Sequence, residues 1–156
     1  MPDLRSLSYD EFGKLRFLDF FPKTTKTASY YVDDSGGMEC PVGLTDYEGY
    51  GPSAGFMSKH GKTCMIDLPF CNGCPEPGAY ALLESLCLEV RKGMSEAQVK
   101  HLLGNPEREI HPGWPRFVVG KKWPYYIDCY IDKRSGLAQI TIYRKDLADK
   151  EARLTG

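Results

Sequence analysis

The stretch 93–106 carries a full set of helix start and stop signals, and it constrains the fold more than any other part of the chain. Ser95 is a favourable N-cap, and Gln98, three residues later, completes a capping box. Gly104 follows the last apolar residue, and the proline two residues further on cannot continue a helix. The helical spacing predicts a buried side made of Val99, Leu102 and Leu103.

Alternating apolar residues follow this helix. The run 125–131 alternates apolar and other side chains, turns through 132–136 and returns as 137–143. A shorter strand is predicted at 116–119. This pattern is typical of an antiparallel hairpin with one face in contact with water. The predicted fold class is therefore α+β, with short helices packed on an antiparallel β-meander.

The remaining segments predict shorter elements. A capping box begins a helix over 7–18, the runs 28–33 and 62–68 are typical of strands, and 79–91 has the spacing of an amphipathic helix. Residues 69–78 contain three prolines and two glycines and are predicted to be irregular.

This irregular stretch serves as a boundary between two parts of the chain. We expect an N-terminal part over 1–75, a helix-plus-meander part over 76–148 and a polar tail over 149–156. Residues 145–156 are polar, and we expect them to end in a frayed tail.

The order of these signals resembles the SmpA/OmlA (BamE-like) domain of small outer-membrane lipoproteins. The resemblance covers roughly residues 88–143. It is carried by Gly-Met-Ser-Glu-Ala-Gln-Val at 93–99, Leu-Leu-Gly-Asn-Pro at 102–106, Trp-Pro-Tyr at 123–125 and Gly136. The resemblance implies a helix on a meander, related to tandem β-lactamase-inhibitor-protein-like folds. It also implies a non-enzymatic chain that binds another protein.

A second pattern suggests an internal repeat. Residues 7–15 match 94–102 in their cap and apolar positions, and Tyr-Tyr-Val-Asp at 30–33 parallels Tyr-Tyr-Ile-Asp at 125–128. Together the two matches indicate a divergent tandem repeat of helix-plus-sheet halves. The alternative is coincidence, since capping boxes and tyrosine pairs are common.

The cysteines suggest a structural zinc site. Cys71 and Cys74 have the spacing that lets two thiolates bind one tetrahedral zinc. Cys64 precedes them on a predicted strand, where alternation places it on the same side as the apolar residues 66 and 68. Either Cys40 or His60 would supply the fourth ligand. The alternatives are free thiols, or disulfides if the protein is exported.

Aromatic residues suggest a protein-binding surface. The predicted loop 43–58 interleaves aromatic side chains with Gly and Ser, a composition that favours protein contact. The second half carries four more aromatics predicted on the outer side of the meander. The alternative is that these rings fill the core. The residues concerned are Tyr47, Tyr50, Phe56, Trp114, Trp123, Tyr126 and Tyr130.

The charge balance and the absence of long apolar runs in the sequence argue against nucleic-acid binding and against a membrane span. The net charge is −1, with 20 basic and 21 acidic side chains, so no charge excess points to nucleic acid. No apolar run is long enough to span a bilayer, and no signal peptide or lipoprotein leader begins the sequence. We expect a cytoplasmic protein, or a periplasmic one if a leader has been removed.

No recognised catalytic motif appears in the sequence. We therefore predict a non-enzymatic protein-binding or inhibitor module, either an immunity-type protein or an assembly accessory from a bacterium. The alternative function is a small protein stabilised by a structural zinc, and no other cofactor is expected.

Overall fold

A computed structural model describes residues 3–23, 30–33 and 43–155. Within them the chain forms one antiparallel sheet and four α-helices. The strands are β1 (Tyr31–Asp33), β2 (Asp46–Gly49), β3 (Gly55–Lys59), β4 (Lys62–Leu68), β5 (Arg108–His111), β6 (Trp114–Val119), β7 (Tyr125–Asp132) and β8 (Gly136–Arg144). The helices are α1 (Tyr9–Gly13), α2 (Glu76–Ser85), α3 (Glu96–Leu103) and α4 (Lys145–Thr155).

The sheet consists of two four-stranded meanders joined side by side. Its strand order is β1-β2-β3-β4-β8-β7-β6-β5, and every neighbouring pair is antiparallel. The join is the β4–β8 pair, in register from Met65 opposite Tyr143 to Leu68 opposite Ile140. The predicted α+β class with helices on a meander is confirmed. The sheet runs without a break across the predicted parts 1–75 and 76–148.

The main core lies between one face of this sheet and the helices α1, α2 and α3. Alternate strand residues meet apolar helix residues there, and each large side chain so buried contributes about 1.5–3 kcal/mol. Tyr125 is fully buried, and its hydroxyl donates to the carbonyl of Leu7 at 2.8 Å. The largest fully buried members of this core include Phe12, Phe17, Phe56, Phe117, Ile66, Leu68, Leu82 and Leu83.

The opposite face of the sheet, which we call the open face, is covered in part by α4. A smaller apolar cluster lies there, formed by Leu44, Tyr47, Met57, Cys64, Tyr126, Tyr143 and Ala148. Helix α4 is tied to it by two tyrosines. The Tyr126 hydroxyl donates to Asp149 at 2.6 Å, and the Tyr143 hydroxyl donates to Glu151 at 2.9 Å. The predicted tail 149–156 therefore belongs largely to a helix. None of the helices in the described residues is long and apolar enough to cross a bilayer.

The start of α3 is locked to the β7–β8 turn. The predicted capping box of Ser95 and Gln98 is present in both directions. The Gly93 amide donates to the Leu137 carbonyl at 3.0 Å, and the Leu137 amide donates to the Met94 carbonyl at 2.8 Å. Gly136 has φ +78, and a Cβ there would collide with the carbonyl of Gly93. Gly93 and Gly136, two of the residues that carry the resemblance to BamE-like domains, are therefore in contact.

Two predicted helices have different bounds in the structure. The helix predicted over 79–91 begins at Glu76, because Pro77 lies in the first turn, where its missing N–H is no loss. It ends at Ser85, and Cys87 follows with φ +58. The helix predicted over 7–18 is shorter, since α1 stops at Gly13 and a separate 3₁₀ turn covers 17–19.

Strand predictions were correct where alternation was clear. The runs 62–68, 116–119, 125–131 and 137–143 lie within β4, β6, β7 and β8. Residues 28 and 29 of the predicted strand 28–33 lie outside the described residues, Tyr30 precedes β1, and the last three residues form β1. The predicted loop 43–58 is wrong, because most of it is the β2–β3 hairpin.

The proposed internal repeat has one match that fits the topology and one that does not. Helices α1 and α3, each with a serine N-cap, both precede a four-stranded meander. The first tyrosine pair, however, lies at the start of β1, the first strand of one meander, and the second lies in β7, the third strand of the other. The pairing of 30–33 with 125–128 is therefore wrong as a structural equivalence.

Candidate partner-binding face

A row of polar side chains crosses four strands of the open face. Asp67 on β4 lies opposite Thr141 on β8, Thr141 lies opposite Asp128 on β7, and Asp128 lies opposite Arg116 on β6. We call these four residues the polar row. Their neighbours along each strand point into the helix-side core, so alternation directs the polar row to the open face.

An ion pair holds one end of the polar row. Arg116 binds Asp128 through two hydrogen bonds, from Nε at 2.7 Å and from a terminal nitrogen at 2.8 Å. The guanidinium also lies 4.0 Å from the ring centre of Tyr126. Burial works against the charge of Arg116, but the hydrogen bonds and charge of Asp128 outweigh it and raise the pKa. The guanidinium is therefore charged and fixed in orientation.

The other end of the polar row is also held by hydrogen bonds. One carboxylate oxygen of Asp67 accepts from the Gln139 amide at 2.9 Å and from the Thr141 hydroxyl at 2.9 Å. Asp128 and Thr141 are buried, whereas Arg116 and Asp67 are partly exposed at the two ends of the row. The row is a rigid pattern of donors and acceptors.

A stacked aromatic pair borders the polar row. The rings of Trp114 and Tyr130 lie 4.8 Å apart with an interplanar angle of 22°. Trp114 precedes Arg116 by two residues on β6, and Tyr130 follows Asp128 by two residues on β7, so both rings lie on the open face. Both side chains are half-buried. A partly exposed Trp–Tyr pair beside an arginine has the composition of an interface hot spot.

The structure corrects the expected exposure of four predicted binding aromatics. Tyr50 and Phe56 lie in the helix-side core, where they contact the ring of Phe17. Tyr47 and Tyr126 face the other way but are buried in the smaller cluster. Tyr47 lies across two glycines of the β2–β3 hairpin and donates to the Ala54 carbonyl at 2.8 Å. The predicted aromatics that remain partly exposed are Trp114, Trp123 and Tyr130.

The cysteines predicted as zinc ligands lie on different sides of the sheet. Cys64 sits at a β-bulge, where the β3–β4 register shifts. The extra residue turns Cys64 into the open-face cluster, so the prediction that it shares a side with the apolar residues 66 and 68 is wrong. Cys74 lies in the helix-side core instead, and Cys71 is exposed.

No group of three His, Cys, Asp or Glu side chains suited to a metal occurs within the described ranges. His60 lies at the β3–β4 turn with φ +51. Cys40 is outside the described residues. The zinc site therefore stays a prediction from the sequence.

The sequence analysis did not predict the polar row, although the alternation in β7 indicated the direction of one of its side chains. Asp128 lies midway between Tyr126 and Tyr130 in the alternating run, so the same alternation that turned the tyrosines outward turns Asp128 outward as well. Its pairing with Arg116 follows from the β6–β7 hairpin. Asp67 joins the row only through the β4–β8 pairing, and no local signal predicts that contact.

No protein-family model, no curated protein and no solved structure matches this chain. The candidate function therefore rests on the open face, and the resemblance to BamE-like domains stays an interpretation of the sequence.

Proposed function

We propose that this chain is a non-enzymatic protein-binding module of the inhibitor, immunity or assembly-accessory type. Its partner protein contacts the open face of the meander β5–β8. The observation that carries the proposal is the stacked Trp114–Tyr130 pair beside the fixed Arg116–Asp128 ion pair. The resemblance to BamE-like domains and to tandem inhibitor folds points to the same class of function.

The geometry suits a protein partner because the surface is ordered before binding. The guanidinium of Arg116 is held by two hydrogen bonds and a ring, and the Asp67 carboxylate is held by two donors. Side chains that are already fixed lose little conformational entropy on association. The aromatic pair supplies apolar contact area, and the partly exposed Arg116 and Asp67 supply charges that specify the partner.

The test begins with identification of the partner by site-specific crosslinking. A photoreactive amino acid is placed at position 114 in one protein and at position 18 in another. Leu18 is the matched control because its side chain is 45% exposed and it belongs to the 3₁₀ turn 17–19, not to the meander β5–β8. A partner that crosslinks in source-cell extract from position 114, but not from position 18, supports the proposal.

Affinity is then measured by titration calorimetry with the purified partner. Trp114→Ala and Tyr130→Ala are each expected to cost about 2 kcal/mol or more, which corresponds to roughly thirtyfold weaker binding. Leu18→Ala should leave affinity unchanged, and circular dichroism should show all three variants folded. Folded Trp114 and Tyr130 variants that bind with unchanged affinity would show that the partner contacts another surface.

A further inference from the structure

A groove of about 620 Å³ lies beside the open face. It is bounded by the 3₁₀ turn Leu4–Ser6, the C-terminal end of α3 and the turn between β6 and β7. Its volume is in the range of ligand-binding sites. The lining residues that matter here are Arg5, Leu103, Val118, Lys121, Lys122 and Trp123.

The walls of this groove combine apolar surface with positive charge. Val118 is 36% exposed, which is high for a large apolar residue, and Leu103 and Trp123 are half-buried beside it. Arg5, Lys121 and Lys122 supply three cationic groups, and none of the described residues that line the groove carries a carboxylate. An apolar floor with cations around it attracts a ligand that carries both an apolar group and negative charge.

The positive charge is largely uncompensated. Arg5 has an ion pair with Asp3 at 3.2 Å. Over residues 3–23, 30–33 and 43–155, no acidic side chain forms an ion pair with Lys121 or Lys122. Both lysines are exposed, and the nitrogen of Lys122 lies 5.6 Å from the ring centre of Trp123. This patch is therefore basic in a chain whose net charge is −1.

The groove is also fixed in shape. Gly120 has φ +89, and a Cβ there would meet the Trp123 carbonyl at 2.6 Å, so this turn requires glycine. The Trp123 ring packs edge-on against Tyr9 with centres 5.3 Å apart. The Tyr9 hydroxyl donates to the Pro124 carbonyl at 2.7 Å. These contacts hold one wall of the groove in place without a ligand.

One wall of the groove, at Val118, continues the open face. Val118 follows Arg116 by two residues on β6, so both side chains lie on the same side of the sheet. A protein seated beside Arg116 therefore reaches the Val118 wall of the groove along the same strand, while Leu103 and Trp123 pack against the helix-side core. This continuity favours a segment of the same protein partner over a separate small molecule.

We infer that the groove binds an acidic segment of the partner protein, in which carboxylate side chains flank an aromatic or aliphatic one. The inference rests on the proposed function, since it assigns a second contact to the same partner. The carboxylates pair with Lys121, Lys122 and Arg5, and the apolar side chain packs against Val118 and Trp123. The pairs are exposed, so binding weakens as salt rises.

The test uses two fluorescein-labelled peptides, Glu-Asp-Phe-Asp-Glu-Leu and its amide counterpart Gln-Asn-Phe-Asn-Gln-Leu. Fluorescence anisotropy should show the acidic peptide binding about tenfold more tightly or better. The ¹⁵N–¹H signal of the Trp123 indole should shift with the acidic peptide alone. Equal binding of both peptides, or binding of neither, would overturn the inference.

Charge reversal locates the contact. The double variant Lys121→Glu/Lys122→Glu should lose about tenfold or more in affinity for the acidic peptide. The control Lys23→Glu/Lys133→Glu makes the same change in net charge at exposed positions away from the groove and should bind within about twofold of the original chain. Equal loss in both double variants would indicate a general charge effect and overturn the inference. Displacement of the peptide by 10 mM inorganic phosphate would do the same, because it would identify a simple anion site.

The partner identified by crosslinking separates this inference from the proposed function. If Trp114→Ala weakens binding of the partner but Lys121→Glu/Lys122→Glu and added salt do not, the groove inference fails and the proposed function stands. If the acidic peptide binds the groove but no partner crosslinks from position 114, the proposed function fails instead.

Discussion

The contact between the β7–β8 turn and the start of α3 predicts unequal effects for two glycine substitutions. Gly136 and Gly61 both have a left-handed backbone, with φ of +78 and +75. A Cβ at Gly61 would meet no atom within 4 Å, whereas a Cβ at Gly136 would collide with the backbone of Gly93 and Met94. Alanine at the two positions therefore separates backbone strain from steric collision.

The expected magnitudes follow from these surroundings. Alanine in the left-handed region costs about 1–2 kcal/mol, and the reduced entropy of the unfolded chain offsets about 0.4–1 kcal/mol of that. Gly61→Ala should therefore destabilise the protein by about 1 kcal/mol. Gly136→Ala should also disrupt the two hydrogen bonds that join Leu137 to Gly93 and Met94, each worth about 1 kcal/mol. Its total cost should be about 3 kcal/mol.

Urea denaturation followed by circular dichroism measures both changes, and thermal melts provide a second reading. At about 2–4 °C per kcal/mol for a domain of this size, Tm should fall by roughly 3 °C for Gly61→Ala and roughly 9 °C for Gly136→Ala. Equal destabilisation by the two substitutions would refute the close packing of the turn on α3.

Two further predictions concern titratable groups. Exposed Cys71 and Cys87 should react with a thiol reagent at pH 8 in the folded protein, whereas the buried cysteines should react only after unfolding. Burial, aided by the Asp67 and Glu76 carboxylates, raises the pKa of Cys74 to about 12, so its thiol stays protonated at pH 8. Rapid labelling of all thiols in the folded state would contradict this. The buried cysteines are Cys64, Cys74 and Cys129. Burial opposes ionisation of Asp149, but hydrogen bonds from Lys145 and Tyr126 outweigh it and lower its pKa. The charged Asp149 therefore stabilises the fold above the unfolded pKa of about 3.9, and this stabilisation is lost as pH falls through the folded pKa. Asp149→Asn should destabilise the protein at pH 6, and the difference in unfolding free energy between the variant and the original chain should close below about pH 4. A difference that is constant from pH 6 to pH 2.5 would show that the carboxylate charge does not hold α4.

Local sequence signals were sufficient to predict an element where its cap, its apolar periodicity and its stop signal indicated the same bounds. The Ser95 helix was predicted because its cap, its apolar stripe and its glycine stop all pointed to the same bounds. Strands β7 and β8 were predicted because their alternation is regular. The signals for these elements come from residues within the same hairpin or turn.

Contacts between distant segments could not be predicted in this way. The β2–β3 hairpin has few alternating apolar residues, because Gly49 and Gly55 leave space for the ring of Tyr47. Tyr126 was correctly directed away from the main core, but it is buried by α4, whose few apolar residues gave no sign of packing. The direction of a side chain follows from alternation, whereas its exposure depends on what another segment places over it.

The β4–β8 pair also decides how the chain can be divided. A fragment that begins at residue 76 keeps α2, α3 and the second meander, but its strand β8 loses the hydrogen-bonding partners that β4 supplies at 65–68. An unpaired edge strand that carries Ile140, Ile142 and Tyr143 recruits other strands, so such a fragment is prone to self-association. Supplying residues 1–75 in trans would offer β8 its natural neighbour. The protein is therefore suited to fragment complementation, with the break placed between the two meanders.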